Sequence, residues 1–434
     1  MAENQSTTSP HFAFLDGLRA LAAWYVVVHH AWLGQFGGFP DNGGPWWTGW
    51  LRWGHLAVVV FIVVSGFSLA LGPARNGDRV TGGVRTFVRR RAWRILPPYW
   101  VALGLSAVII AVYTGAHTGT EVDARAIAVH GLLLQDVIGS HSPNGAFWSI
   151  AIEWQIYFVF PLLLLLVRRL GAQAMAGLTS AAVVAAYVAG NQVAPLHKLL
   201  DLTPQFLALF AFGVVAGRSA LLSGSVALPS RGRLVIAGAV AGVAGLAFLP
   251  PAVVVRQFFW VDLALGGVTA VALWTLACSG MPRLRAALEV PALRFTGRFS
   301  YSTYLLHAPL MTAASLAVVT RLATGPTERF LLTLALVLPM IFVATYAFHL
   351  AFERPFMVRR SLAELRVGKH PGPGRAGIAA RPSGVRSGGE RRSAAAGRNG
   401  AVNRGGSAPL PAPIGGRPAG GANVGAVLVE ERER

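Results

Sequence analysis

Residues 14–33 read FLDGLRALAAWYVVVHHAWL, an apolar run of the length that an α-helix needs to cross a bilayer. Roughly 17–25 apolar residues span the hydrocarbon core of a membrane, and this run reaches that range. Ionisable residues inside a bilayer are costly, so each one is a candidate functional residue until a structural partner is found. The ionisable residues of this run are Asp16, Arg19, His29 and His30.

Nine further apolar runs follow along the chain. Together with the first, taken as 12–33, they predict an all-α, polytopic membrane protein with about ten transmembrane helices. The composition agrees, since 54% of the 434 residues are hydrophobic and 13% are charged, which excludes an ordinary soluble protein. The further runs lie at 55–72, 96–114, 147–167, 173–190, 203–217, 234–250, 258–279, 299–320 and 330–352.

The interpretation of the net charge of +20 depends on where the charged residues lie along the chain. If the helices alternate in direction from a cytoplasmic N-terminus, most basic residues between helices fall in the loops assigned to the cytoplasm. Cytoplasmic loops of membrane proteins carry such an excess of Arg and Lys, so the pattern predicts that both termini are cytoplasmic. The charge therefore orients helices, and we predict no nucleic-acid partner, which an even spread would suggest.

The chain divides into three predicted segments. Residues 1–11 form an N-terminal cytoplasmic segment, and 12–357 form the transmembrane domain. Residues 358–434 are rich in Gly, Pro, Ala and Arg without periodicity, which predicts a disordered cytoplasmic tail. A solvated tail is the default interpretation, and contact with anionic lipid is the alternative. The single Cys278 lies in an apolar run and excludes a disulfide framework.

Arg19 and His30 share one face of the first predicted helix. Eleven residues at about 100° each bring them within about 20° of the same face, roughly 16 Å apart along the axis. In the predicted topology Arg19 lies near the cytoplasmic end and His30 in the outer half. Arg19 alone would suggest an interfacial anchor. Two adjacent histidines in an apolar run favour a function for His30.

Glu153 lies near the outer end of the predicted helix 147–167. An uncompensated carboxylate at that depth is unfavourable by roughly a few kcal/mol, so Glu153 is either protonated or paired. His30 lies at a similar depth, and a carboxylate beside an imidazole orients its tautomer and raises its basicity, as a general base requires. A structural hydrogen bond without chemistry is the alternative, and spacing leaves the two equal.

The cytoplasmic stretch 85–100, RTFVRRRAWRILPPYW, contains four arginines in six positions. Its default interpretation is an anchor for the inside orientation. Arg91 and Arg94 are three residues apart and share a helical face, where two guanidinium groups could hold phosphate. In 297–310, GRFSYSTYLLHAPL, Tyr304 and His307 are neighbours on one face. No metal site is predicted, since the histidines of 115–146 lack the spacing of a helical ligand pair.

Six motifs, in this order, resemble the integral-membrane acyltransferase-3 family of bacterial and animal proteins, and the resemblance covers residues 12–357. They are FLDGLRALAAWYVVVHH, VVVFIVVSGFSLAL, RRRAWRILPPYW, NGAFWSIAIEWQIYFVFPLLLL, GRFSYSTYLLHAPL and FERPF. Many members carry a second acid after the motif glutamate, where this chain has Trp154. The family patterns Arg-x10-His, Arg-x-x-Arg and Trp-Ser-x-x-x-Glu fall on Arg19 and His30, on Arg91 and Arg94, and on Trp148, Ser149 and Glu153.

The resemblance implies a multi-pass enzyme of the bacterial plasma membrane that moves an acyl group, commonly acetyl, from acyl-CoA to a hydroxyl of a carbohydrate, glycolipid or macrolide. Arg91 and Arg94 would bind the donor, and Arg19 would position it. His30 would be the general base, oriented by Glu153, with an acyl-histidine relay as the alternative. Supporting roles are expected for Asp16, Trp148, Ser149, Tyr304 and His307.

A proton-coupled transporter or flippase is the competing hypothesis, because the same buried His and Glu could form a proton relay. It predicts flux that is driven by pH and independent of CoA. The chain shows no inverted repeat and no clearly interrupted helix pair, which argues against it. A third hypothesis is that the protein is an inactive membrane scaffold.

Overall fold

The protein is described by a computed structural model over residues 12–41, 43–118, 121–222, 237–238, 241–242, 245, 249–278 and 280–358. Within these ranges the regular structure is helical and contains no strand. Eight of the described helices are long and apolar enough to cross a membrane. The chain is therefore an all-α, polytopic membrane protein, as the apolar runs predict.

Eight of the nine long helices in the described ranges agree with the predicted runs to within about six residues at each end. The third, Gly83–Thr118, begins 13 residues before the predicted run 96–114 and includes the arginine-rich stretch. The predicted helix 234–250 falls largely outside the described residues, as do the segments 1–11 and 359–434. The helices are α1 (Phe14–Leu33), α2 (His55–Ala74), α3 (Gly83–Thr118), α4 (Phe147–Leu170), α5 (Ala172–Gln192), α6 (Gln205–Leu222), α7 (Phe258–Ala277), α8 (Ser300–Leu322) and α9 (Pro326–Val358).

Helix α1 is not among the eight most apolar helices, because its ionisable residues lower its mean hydropathy. It is nevertheless well packed, and Ala20, Val27 and Trp32 are fully buried. A helix with ionisable side chains avoids the cost of exposing charge to lipid when it is surrounded by protein. The residues that make α1 atypical as a membrane span therefore face the interior of the bundle or a cavity.

Helices α2 and α6 pack closely because glycines face each other's backbones. A Cβ atom added at Gly66 would clash with the carbonyl oxygen of Phe210, and one added at Gly213 would clash with that of Val63. Small residues at such crossings let two helices approach closely where lipid provides no hydrophobic drive for association. This crossing forms part of the largest buried cluster of the protein.

A 3₁₀ helix at Trp46–Trp53 fixes the last turns of α1. Three side chains of α1, spaced along one face, make hydrogen bonds to it. The bonds are Tyr25 Oη to the Trp50 carbonyl at 2.6 Å, His29 Nδ1 to the Leu51 carbonyl at 2.6 Å, and Trp32 Nε1 to Thr48 Oγ1 at 2.8 Å. The end of α1 that carries His30 is thereby held in a defined orientation.

The N-terminal ends of α2, α6 and α7 meet at a buried polar cluster that the sequence analysis did not predict. His55 Nε2 lies 3.0 Å from both carboxylate oxygens of Asp262, and Gln205 Nε2 donates to Asp262 Oδ2 at 3.2 Å. The His55 ring is sandwiched between Trp148 and Phe258. We call His55, Gln205 and Asp262 the helix-end cluster. It joins three helices that are distant in sequence.

Candidate active site

A cavity of about 500 Å³ lies among α1, α2, α3, α4 and the ends of α8 and α9. Seven of the sequence-predicted site residues line it, although they come from four separate stretches of the chain. The three others, His30, Trp148 and His307, are not part of its lining. The seven are Asp16, Arg19, Arg91, Arg94, Ser149, Glu153 and Tyr304.

Arg19 is held by two neighbours on the cavity wall. Its Nη1 donates to Asp16 Oδ1 at 3.1 Å, one turn earlier on α1, and its Nη2 donates to Ser68 Oγ of α2 at 2.7 Å. Asp16 is itself fixed by close packing, since Gly297 contacts its backbone so tightly that a Cβ atom would clash. The guanidinium group is therefore positioned by protein contacts inside the bundle.

Glu153 accepts hydrogen bonds from two hydroxyl groups. Ser65 Oγ donates to Glu153 Oε1 at 2.5 Å, and the Tyr157 hydroxyl donates to the same oxygen. These two contacts fix the position of the Glu153 carboxyl group on the cavity wall. The contacts shown for Glu153 run to Ser65 and Tyr157, so its proposed role in orienting His30 stays a prediction.

Sequence reasoning missed Ser65 and Tyr157 as partners of Glu153. Tyr157 follows Glu153 by four residues, and this spacing places the two side chains on one helical face. That signal was available in the sequence. Ser65 lies 88 positions away from Glu153, on α2, and only the packing of α2 against α4 brings the two together. No local pattern identifies that contact.

His30 contacts His307 of α8. His307 Nε2 lies 3.2 Å from His30 Nδ1, and the ring centroids are 4.9 Å apart. His307 Nδ1 lies 2.8 Å from the Tyr304 carbonyl, and His30 Nδ1 lies 2.9 Å from the Val26 carbonyl. A carbonyl only accepts, so we assign a proton to both Nδ1 atoms. In neutral rings, Nε2 is then the basic nitrogen of His30.

Tyr304 connects the cavity with this histidine pair. Its hydroxyl lines the cavity and lies 2.7 Å from Ser149 Oγ. Its ring centroid lies 5.6 Å from that of His307, which contacts His30. Ser149, Tyr304, His307 and His30 therefore form a continuous series of contacts from one end of the cavity to the candidate base on α1.

The cavity also presents guanidinium groups without anionic partners. Arg91 Nε is buried and has no hydrogen-bond acceptor among the described residues, and its Cζ atom lies 5.8 Å from the centre of the Phe87 ring. Arg94 and Arg298 are exposed and line the same cavity. A buried donor without an acceptor is unfavourable, so this wall is suited to binding an anion.

Within the described ranges, no group of three or more His, Cys, Asp or Glu side chains is arranged to hold a metal ion. The groups present in and beside the cavity are a pair of imidazoles, several hydroxyl groups and several arginine side chains. Such a set is suited to transferring a group between oxygen or sulfur atoms while a polyanionic donor is bound.

This architecture is that of a membrane-embedded transferase, and the comparisons with known proteins identify its family. Residues 12–350 match the Acyltransferase domain of the acyltransferase-3 family, and the chain belongs to that family. The predicted resemblance is therefore confirmed. The protein is a multi-pass membrane acyltransferase. No solved structure matches the chain.

Named relatives support O-acyltransferase activity. Acyltransferase MdmB of Streptomyces mycarofaciens is 29% identical over 319 residues, which cover 68% of this chain and 77% of MdmB. Peptidoglycan O-acetyltransferase OatA of Listeria monocytogenes is 25% identical over 332 residues, covering 69% of this chain and 49% of OatA. Nodulation protein 10 of Rhizobium leguminosarum is 24% identical over 241 residues, covering 50% of this chain and 62% of that protein.

Proposed function

We propose that the protein transfers an acyl group, the acetyl group in its physiological reaction, from acyl-CoA to a hydroxyl of a carbohydrate, glycolipid or macrolide acceptor. The observation that carries this proposal is the buried Arg91 Nε, which has no acceptor in the described structure and lines the cavity beside Arg94. Guanidinium groups bind phosphate bidentately, and the pyrophosphate of CoA would supply the missing acceptors.

The proposed orientation has both termini in the cytoplasm. It places the N-terminal part of α3 and the beginning of α8 on the cytoplasmic side, so that the exposed Arg94 and Arg298 mark a cytoplasmic mouth. The donor would enter with its acyl end foremost, between apolar side chains that include Val58 and Ile62. Arg19, fixed by its own neighbours, would position the donor or polarise its thioester.

His30 is the proposed general base. Its Nε2 would take the proton of the acceptor hydroxyl as the acceptor oxygen forms a bond to the acyl carbon and the thioester C–S bond breaks. The proton then passes to the sulfur, and CoA leaves as the thiol. His307 would fix the tautomer by accepting from His30 Nδ1–H. In the alternative acyl-histidine relay, His30 Nε2 carries the acyl group briefly.

Transfer of radiolabelled acetyl groups tests the proposal. Purified protein in proteoliposomes would be given labelled acetyl-CoA with a panel of peptidoglycan fragments, glycolipids and macrolides, and label should appear on at least one acceptor class. Heat-inactivated protein is the control. Flux of an acceptor lipid or glycan that is driven by a pH gradient and consumes no acetyl-CoA would favour the transporter and contradict the proposal.

A further inference from the structure

We propose that Arg298 binds the 3′-phosphate on the ribose of the donor, at a subsite separate from the pyrophosphate contacts of Arg91 and Arg94. This inference rests on the proposed function, because it takes acyl-CoA as the donor. It names a specificity-determining residue that none of the sequence motifs above marks as a site residue. Arg298 is the second residue of the motif GRFSYSTYLLHAPL, in which the sequence analysis assigns roles only to Tyr304 and His307.

Arg298 is an exposed residue that lines the cavity, and no ion pair of its guanidinium group is found within the described part of the chain. Two other arginines of the described chain illustrate the paired case. Arg218 forms a two-point contact with Asp78 at 2.8 and 3.0 Å, and Arg285 donates to Glu289 at 2.9 Å. An unpaired cation on a cavity wall is available to an anion that enters the cavity.

The cations of the cavity stand on two walls. Arg91 and Arg94 lie on α3, one helical turn apart, and form a pair. Arg298 belongs to a different segment, immediately before α8, that also lines the cavity. The two walls are tied to each other, because the Tyr301 hydroxyl donates to the Ile95 carbonyl at 3.1 Å. The spacing between the arginine pair and the single arginine is therefore set by the fold.

This arrangement matches the anionic groups of CoA. CoA carries two adjoining phosphates in its pyrophosphate and one separate monoester on the ribose, so a cation pair and a single cation form a complementary set. The adenosine end is farthest from the thioester and would remain at the mouth, where Arg298 is exposed. The buried Arg91 Nε independently indicates that the cavity takes an anion.

The beginning of α8 adds to the positive potential around Arg298. Helix α8 starts at Ser300 without a side-chain cap and with no acidic residue in its first turn. Ser300 and Tyr301 both line the cavity. The helix dipole at such an end favours a bound anion, and the first turn already binds one carboxylate, since Ser302 donates to Glu353, which also lines the cavity. Arg298 and this helix end would act on the same phosphate.

Binding of CoA and of dephospho-CoA, which differ only in the 3′-phosphate, tests the inference. Dissociation constants would be measured by isothermal titration on the full-length protein in detergent micelles. The wild-type protein should bind CoA roughly 10-fold or more tightly than dephospho-CoA. Arg298→Gln should weaken the binding of CoA until the two constants are about equal, and it should leave the constant for dephospho-CoA unchanged. That unchanged constant also shows that the variant is folded.

Three further variants sharpen the test. Arg294→Gln removes a charge one turn earlier that does not line the cavity, and it should keep the wild-type ratio. Arg94→Gln should weaken both ligands equally, since both carry the pyrophosphate. Arg298→Lys, which keeps the charge, should restore part of the discrimination.

The outcomes separate this inference from the proposed function. Equal binding of the two ligands by the wild-type protein, or an unchanged ratio in Arg298→Gln, would overturn the subsite while leaving acyl-CoA as the donor. Equal weakening of both ligands in Arg298→Gln would also overturn it. No measurable binding of CoA to the wild-type protein would overturn the donor itself, and the inference with it.

Discussion

The cavity and the helix-end cluster both bury ionisable side chains in an apolar bundle, yet they use hydrogen bonds differently. Asp262 is fully buried, and its carboxylate receives donors from His55 and Gln205. In the cavity, Arg91 Nε is buried without an acceptor within the described structure. The Asp262 carboxylate therefore has its donors within the protein, although His55 Nδ1 is also buried without a partner in the described structure. The unpartnered Arg91 Nε differs in belonging to a residue that lines the cavity, where another molecule can supply the acceptor.

This difference separates two reasons for placing charge in a membrane protein. A buried pair that is satisfied by its own partners joins helices, and removing one partner leaves an uncompensated charge. An unsatisfied guanidinium group costs stability unless a ligand binds to it. Substitutions in the helix-end cluster should therefore affect folding, and substitutions around the cavity should affect binding and catalysis.

His30→Ala should have the largest effect on the reaction. Loss of a general base lowers kcat by roughly 10²-fold to 10⁴-fold, with little change in donor affinity, because the donor contacts lie elsewhere in the cavity. Single-turnover transfer of labelled acetyl groups measures the chemical step. His29→Asn is a matched control, since its amide can replace the Nδ1 donor to the Leu51 carbonyl. Wild-type kcat in His30→Ala would remove His30 from the mechanism.

Asp262→Ala should affect the stability of the protein more than the rate of the reaction. Removing the buried acceptor leaves His55 Nε2 and Gln205 Nε2 without a hydrogen-bond partner, which costs about 1–3 kcal/mol for each group in the free energy of unfolding. Thermal unfolding in detergent measures this loss. The double variant His55→Phe with Asp262→Leu should be less destabilised than Asp262→Ala, since the imidazole that would lack an acceptor is removed and the space is filled with apolar side chains. If Asp262→Ala unfolds like the wild-type protein, the helix-end cluster is not a structural contact.

Much of the fold could be predicted from the sequence because membrane spans have a simple physical signature. Length and apolarity identify a helix that crosses a bilayer without any knowledge of its partners. The cavity was also partly predictable, since Arg19, Arg91 and Glu153 are polar residues in or beside apolar runs. Each such residue is a candidate functional residue even when its partners are unknown. The family motifs then linked these residues to one activity.

Contacts between helices could not be predicted in the same way. His55 precedes an apolar run and Asp262 lies within another, and the sequence gives no reason to pair two residues 207 positions apart. The same applies to His30 and His307, which belong to separate motifs and meet only because α1 packs against α8. Spacing within one helix predicts a shared face, but helix packing determines which faces meet.

Arg91→Gln should weaken donor binding while leaving the fold intact. Loss of one hydrogen-bonded charge contact to phosphate should raise the dissociation constant for CoA roughly 10-fold to 100-fold. Thermal stability should stay unchanged or rise, because the variant removes a buried donor that has no acceptor in the unliganded protein. Arg89→Gln, an exposed residue on the same helix, is the control. Unchanged CoA binding in Arg91→Gln would separate Arg91 from the donor site.

The smallest expected effect concerns the hydroxyl pair between the cavity and the histidines. Ser149 and Tyr304 hydroxyls lie 2.7 Å apart, and either can donate to the other. Ser149→Ala and Tyr304→Phe should each lower kcat about 5-fold, by about 1 kcal/mol, if the pair positions the thioester. The double variant should be no worse than either single one, because each substitution already breaks the bond. Additive losses in this cycle would show that the two hydroxyls act independently on the substrate.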